Sequence, residues 1–235
     1  MKPLRPRALV LLGAPGVGKG TYATLLSAWL GIEHISTGDA IRKLIRDGSP
    51  QGMVYKKYVD NGELLPNVMM KPLLAELLAG KKDVIMDGFP REASQVAMLD
   101  TVAEIRAVLL LTLRRDVLIE KVVKRRVCTG CSKIYNLADI KLGTMRMPPM
   151  PPKVAGVCDD CHGRVVQRND DALAVVLKRL HDYDAKHEPI VEEYLKRDVV
   201  IPFELTGGKK EMWPDIQELF REKGLAPESE ITAKL

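Results

Sequence analysis

The segment Gly13-Ala14-Pro15-Gly16-Val17-Gly18-Lys19 constrains this chain more than any other. It fits the pattern G-x-x-x-x-G-K, and its setting matters as much as its letters. An apolar run, Arg7–Leu12, precedes it and reads as a buried strand. A helical stretch, Lys19–Leu30, follows, with Leu25, Leu26 and Trp29 on one face and Gly31 to end it. Glycines let backbone N–H groups face a phosphate without Cβ clashes, and the helix N-terminus adds partial positive charge. Lys19 can reach the β- and γ-phosphates of a bound nucleotide.

A strand that feeds a helix in this way needs a parallel sheet around it. Val84–Met86, Ala107–Leu113 and Val199–Phe203 read as further strands, and Ile32–Ile35 as a shorter one. Continuous apolar strands separated by helices predict an α/β fold of the P-loop NTPase kind: a parallel five-stranded sheet with helices on both faces. Two stretches break the alternation. Residues 37–66 are helical and polar, and residues 128–168 hold all four cysteines and a proline-rich centre. They are expected to be two lobes inserted into a core of residues 1–36, 67–127 and 169–235. Val117–Val127 reads as a helix.

Three segments carry a family resemblance. Gly13 through Thr21 reads GAPGVGKGT, with Gly20 where a Ser or Thr usually offers Mg²⁺ a hydroxyl and Thr21 one residue later. Ser36-Thr37-Gly38-Asp39 with Arg42 matches STGD-x-x-R, and Asp87-Gly88-Phe89-Pro90-Arg91 with Gln95 matches DGFPR-x-x-x-Q. Together they resemble the adenylate kinases, which implies transfer of the γ-phosphoryl group of Mg·ATP to AMP. The same resemblance implies that residues 37–66 are the nucleotide-binding lobe and residues 128–168 the lid. By that resemblance Gly13, Ala14, Pro15, Gly16, Val17, Gly18, Lys19, Gly20 and Thr21 cradle the ATP phosphates. Thr37, Gly38, Glu63, Leu64, Leu65, Gly88 and Gln95 line the AMP pocket. Arg42 and Arg91 suit bidentate grip on the acceptor phosphate. Asp87 would orient Mg²⁺ through its waters.

Lys124-Arg125-Arg126, then Arg168-Asn169-Asp170-Asp171 and Arg179, are similar to the family's pattern around the lid. Arg125, Arg168 and Arg179 would surround the transferring group, with Lys121 and Lys209 near the donor base. Lys121 departs from the family's common Arg, and Lys is a poorer planar stacker. Arg126 divides evenly between a structural role and a functional one.

Cys128-x-x-Cys131 and Cys158-x-x-Cys161 fit a four-thiolate structural Zn²⁺ site. Between the pairs lie 26 residues, Ser132 to Val157, more than the resemblance leads one to expect. The extra length is assigned to Leu137–Met150 as a surface loop, in which Met145, Met147 and Met150 pack rather than bind metal. His34, His162, His181 and His187 are assigned no chemistry.

Net charge is +5, which fits nucleic acid and a phosphate-handling enzyme equally, but aromatics are scarce, with only three Phe, so a base-stacking nucleic-acid platform is disfavoured. The longest apolar run, Ala172–Leu177, is far too short to cross a bilayer, and Met1–Leu12 lacks the h-region of a secretory signal. The partners expected are ATP and AMP, with no nucleic acid and no membrane, and the chain is expected to be a monomer. Three readings compete: adenylate kinase, a kinase of another pair such as GTP:AMP or UMP/CMP, and a zinc-containing nucleic-acid module. The terminal Ala233-Lys234-Leu235 resembles a peroxisomal address, so the compartment is open between cytoplasm and peroxisome or glycosome.

Overall fold

A computed structural model describes residues 5–227. The terminal Ala233-Lys234-Leu235 lies outside them. The first strand, β1 (Arg7–Leu12), runs into the glycine-rich turn and then α1 (Lys19–Leu30). Next come β2 (Glu33–Ser36) and two polar helices, α2 (Thr37–Arg46) and α3 (Pro50–Asp60). Ser36 and Ser49 start those helices by accepting from the N–H groups of Asp39 and Gly52. The chain continues through α4 (Asn67–Leu78), β3 (Asp83–Asp87), α5 (Ser94–Val102) and β4 (Glu104–Thr112).

The segment that follows departs from expectation. A helix, α6, covers only Arg115–Val123, not Val117–Val127. Lys124 caps it, and Arg125–Cys128 forms a strand, β5. That strand pairs with β6 (Ile134–Asn136) and with β9 (Val165–Val166), so Arg125 and Arg126 belong to a small sheet. The expected surface loop at Leu137–Met150 is also corrected. It contains a hairpin, β7 (Ile140–Leu142) and β8 (Met145–Met147), with Ala138, Ile140, Met145 and Met147 buried. A 3-10 turn at Asn169–Asp171 leads to α7 (Leu173–Leu195), β10 (Val200–Glu204) and α8 (Lys209–Glu222).

The central sheet is five-stranded and parallel, in the order β10-β4-β1-β3-β2. Its side chains alternate as the period of a strand requires. Leu9 and Leu11 of β1 join Ala107, Leu109 and Leu111 of β4 in the core on one face, with α1, α6 and α8. Ala8, Val10 and Leu12 face the opposite core with Val108, α4 and α5. Both faces are therefore covered, and the carboxyl ends of the strands are left to build a site.

Candidate active site

The phosphate loop forms where β1 ends. Gly13 has φ of +140°, and a Cβ there would lie 2.4 Å from the Leu111 carbonyl oxygen. Only glycine permits that approach. Lys19 folds back over the loop, its Nζ donating to the carbonyls of Gly13 at 2.7 Å and Ala14 at 3.0 Å. Burial lowers its pKa to about 8, with Asp87 opposing and Arg91, Arg179 and Arg125 adding to the fall.

Asp87 ends β3 beside this loop. Burial alone would raise its pKa, but the His34 imidazole, Lys19 and Arg91 outweigh that and hold it below the usual range. The His34 Nε2 stands 3.8 Å from the Asp87 carboxylate. This contact was missed: a lone His in a short strand carries no signal of its neighbour. Thr37 Oγ donates to the Asp87 carbonyl at 3.3 Å and so ties α2 to the same strand end.

A cavity of about 70 Å³ opens between α2, α3 and the strand ends. Its lining includes Thr37, Gly38, Arg42, Glu63, Leu64, Leu65, Gly88, Arg91, Gln95 and Arg179, the expected set apart from Arg168. Met70, Phe89 and Asp170 also line it. Gln95 Oε1 accepts from the Arg91 N–H at 2.8 Å, and its Nε2 donates to Asn67 Oδ1 at 3.1 Å. The Arg91 N–H fixes which way the Gln95 amide points, and Asn67 holds its Nε2 end. Sequence reasoning missed Asn67, because an Asn after a Pro at a helix start reads as a generic beginning.

A second cavity, about 110 Å³, joins the loop to α7. Lys19, Arg91 and Arg179 meet Asp182, Tyr183, Lys186 and His187 there, and the last of these stacks on Tyr183 with centroids 4.4 Å apart. Helical spacing along α7 explains the grouping, although the reading assigned His187 no role.

Above the cavities the arginines converge. Arg125 makes a two-armed pair with Asp171, its Nε donating to Oδ2 at 2.8 Å. Arg179 contacts Asp170 at 2.9 Å and Asp171 at 3.5 Å. Arg42 bonds Asp39 at 2.6 Å, and Arg168 lies 3.8 Å from the same carboxylate. Burial lowers Arg168 to about 9 and Arg91 to about 10, helped by neighbouring guanidiniums. The buried Arg168 Nε has no hydrogen-bond partner among the described residues. A cleft that crowds cations this far against their own repulsion can hold several phosphate groups and neutralise charge that builds between them. Lys121 and Lys209 line neither of these cavities. Lys121 lies on α6, its pKa lowered to about 8 by burial, and Lys209 is exposed at the start of α8.

The four cysteines come together. Their sulfurs lie within 4.8 Å of one another, with Cys128 to Cys161 at 3.3 Å and Cys131 to Cys158 at 3.5 Å. A tetrahedral Zn–S shell needs about 3.8 Å between sulfurs. The two turns are built alike. Cys128 N–H donates to the Lys133 carbonyl and Cys158 N–H to that of Gly163, both at 2.9 Å. Ser132 and His162 take the same left-handed position, φ +64° and +58°, so His162 serves the turn. A Cβ on Gly163 would come within 3.2 Å of two sulfurs. These residues could hold one metal ion in a closed site.

Comparison with known proteins agrees with this geometry. The family model described as Adenylate kinase matches residues 11–199. "Probable adenylate kinase 6, chloroplastic" of Arabidopsis thaliana is 39% identical over 215 residues, 87% of this chain and 71% of that protein. The "Adenylate kinase" of Clostridium tetani is 36% identical over 219 residues, 90% of this chain and 97% of its own. That of Thermodesulfovibrio yellowstonii is 37% identical over 223 residues, 92% and 99% of the two chains. A family match over residues 11–199, from the phosphate loop to just past α7, places this chain in the adenylate kinase family, whose chemistry is phosphoryl transfer between nucleotides.

Proposed function

We propose that this chain transfers the γ-phosphoryl group from Mg·ATP to AMP, giving two ADP. The convergence of Lys19, Arg42, Arg91, Arg125, Arg168 and Arg179 supports the reading most directly. No single anion calls for so many buried cations, whereas two nucleotides in line do. Lys19 and the N–H groups of the loop from Gly13 to Thr21, all but Pro15, would hold the donor's phosphates. Arg42 and Arg91 would hold the acceptor phosphate, with Thr37, Gly38, Gly88, Gln95 and residues 63–65 around its adenine. Arg125, Arg168 and Arg179 would stabilise charge on the group in flight while the lobes exclude water. Bound Mg²⁺ would add to the neutralisation of the donor's phosphate charge. Asp87, ionised and beside Lys19, suits the waters of such an ion. We place the acceptor lobe at residues 37–66 and the lid at 128–168.

In the lid we assign Cys128, Cys131, Cys158 and Cys161 to a structural Zn²⁺. With four thiolates present the site has no open position for chemistry. Among the described residues no helix is long and apolar enough to cross a membrane. We read the protein as a monomer, and Ala233-Lys234-Leu235 as a candidate organelle address. Fusing the last residues to a fluorescent protein and imaging it tests that address.

The deciding experiment measures initial rates with Mg·ATP and, separately, AMP, GMP, CMP and UMP, then with Mg·GTP and AMP. Fast turnover with ATP and AMP alone upholds the proposal. Faster turnover with GTP moves it to a GTP:AMP phosphotransferase, the reading that Lys121 keeps open.

A further inference from the structure

The lid is built as two unlike halves. The half that carries the cysteines has a small core of its own: Cys128, Tyr135 and Cys158, with Val165 against them. The hairpin half has none. Its buried side chains, Ala138, Ile140, Met145 and Met147, belong to the main core with Val17 of the phosphate loop and Val122 of α6. In β7–β8 the pairing sets Ile140 opposite Met147, so one face of the hairpin points into that core.

Hydrogen bonds hold the hairpin at its neck and close packing holds it at its far side. At its neck, Asn136 and Met150 exchange backbone hydrogen bonds at 3.1 and 2.7 Å. The Asn136 amide donates to the Lys121 carbonyl at 2.9 Å, and Leu137 N–H donates to that of Lys124 at 3.0 Å. At its far side the Arg146 carbonyl oxygen lies 3.2 Å from where a Cβ on Gly208 would stand, and Pro148 3.6 Å from it. The hairpin thus bridges α6 to the turn that opens α8.

A donor whose γ-phosphate faces Arg91 from Lys19 must run its sugar and base away from the acceptor cavity. On its other side the phosphate loop packs against α6, where a Cβ on Gly16 would lie 2.3 Å from Val122, and the hairpin's buried side chains join the same core as Val17 and Val122. We propose that the hairpin of residues 138–148 is a fixed wall of the donor-base site: it stays on the core while the cysteine half moves, and it sets the affinity and base selectivity for the donor. The proposal rests on the ATP–AMP reading above. It makes selectivity a property of a surface that exists before the donor arrives. To swing the whole lid outward as one body would expose four apolar side chains to water, which opposes that motion.

The test uses the full chain and two variants. One replaces residues 138–148 with a two-glycine turn between Leu137 and Pro149. The other, Ile140→Ser with Met147→Ser, keeps the length but weakens the seat, and it serves if the shortened chain does not fold. In either, KM for Mg·ATP should rise about tenfold and the preference for ATP over GTP, CTP and UTP should shrink, as lost apolar contact predicts. KM for AMP should stay within about twofold, since no acceptor contact changes. Amide exchange on the unmodified chain gives an independent arm. Residues 140–147 should be protected equally with and without nucleotide, while residues 128–133 and 158–165 gain protection on binding. Unchanged donor KM and selectivity in a folded variant overturn the wall. Exchange in the hairpin as fast as in the cysteine half, without nucleotide, overturns its being fixed. Absence of ADP from ATP and AMP in the unmodified chain would sink the ATP–AMP reading instead, and the exchange arm would still decide whether the hairpin is fixed.

Discussion

Lys19 shows what one side chain in this cleft must withstand. Burial and three neighbouring guanidiniums bring its pKa to about 8, so the free protein loses this charge as pH rises through that value. Bound phosphates favour the charged form and should return the proton. We therefore expect kcat/KM for the donor to fall above about pH 8, with kcat holding to higher pH, in rate profiles at saturating AMP. Donor binding above that pH should take up protons, visible as a buffer-dependent enthalpy in calorimetry. The sign for stability is the reverse of a salt bridge's. Charging Lys19 costs the folded state more than the unfolded, so its contribution to stability rises between about pH 8 and the ordinary value of 10.5. Lys19→Ala or Arg91→Ala should each cut kcat/KM by about 10³-fold, since each removes charge aimed at the transferring group. Near-normal rates from a folded variant would refute these roles. Asn67→Ala should act more mildly, raising KM for AMP by roughly tenfold through a loosened Gln95 amide, with kcat little changed.

Elements differ in how plainly the sequence declared them. Five parallel strands were legible because apolar runs between helices leave few other arrangements. The alternation of Leu9 and Leu11 against Ala8 and Val10 across two cores is the physical content of that reading. The end of α6 was not legible. Apolar spacing continues past Val123, and neither Gly nor Pro marks the break, which falls at Lys124 in an ordinary helical conformation. The hairpin escaped for another reason. Strands of three residues give too little alternation to detect, and their stability comes from a seat on the core that no local pattern shows. Packing should make itself felt in stability. Leu109 is fully buried in β4, and Leu109→Ala should cost about 2–5 kcal/mol, measured by denaturant unfolding. The cysteine half should respond to metal instead. Chelation, or Cys128→Ser, should lower Tm by roughly 4–8 °C, the shift that a loss of about 2 kcal/mol gives in a chain of this size. The rate at low temperature should change far less. A protein purified under reducing conditions without bound metal would overturn the zinc assignment.

The whole molecule ties three parts together by a few charges. Arg168, just after β9, reaches Asp39 of α2, and Lys178 on α7 reaches Glu63 at 3.2 Å. Motifs named Arg42, Asp39 and Arg168, but only the fold shows that one carboxylate, Asp39, serves two arginines far apart in the chain. Motion of the proposed lobes is expected to limit turnover, so kcat should fall as solvent viscosity rises. A kcat indifferent to viscosity would point to chemistry as the slow step.

The pairing of Asp170 and Asp171 with Arg179 and Arg125 has its own consequence. These carboxylates already occupy the guanidiniums that an arriving phosphate would want. An arriving phosphate would therefore share or compete for guanidinium donors with an anion that is tethered and cannot diffuse off. When the phosphate leaves, the tethered anion is waiting to take its place. If Arg125 and Arg179 take the proposed part in binding, the two aspartates would favour release as the arginines favour capture.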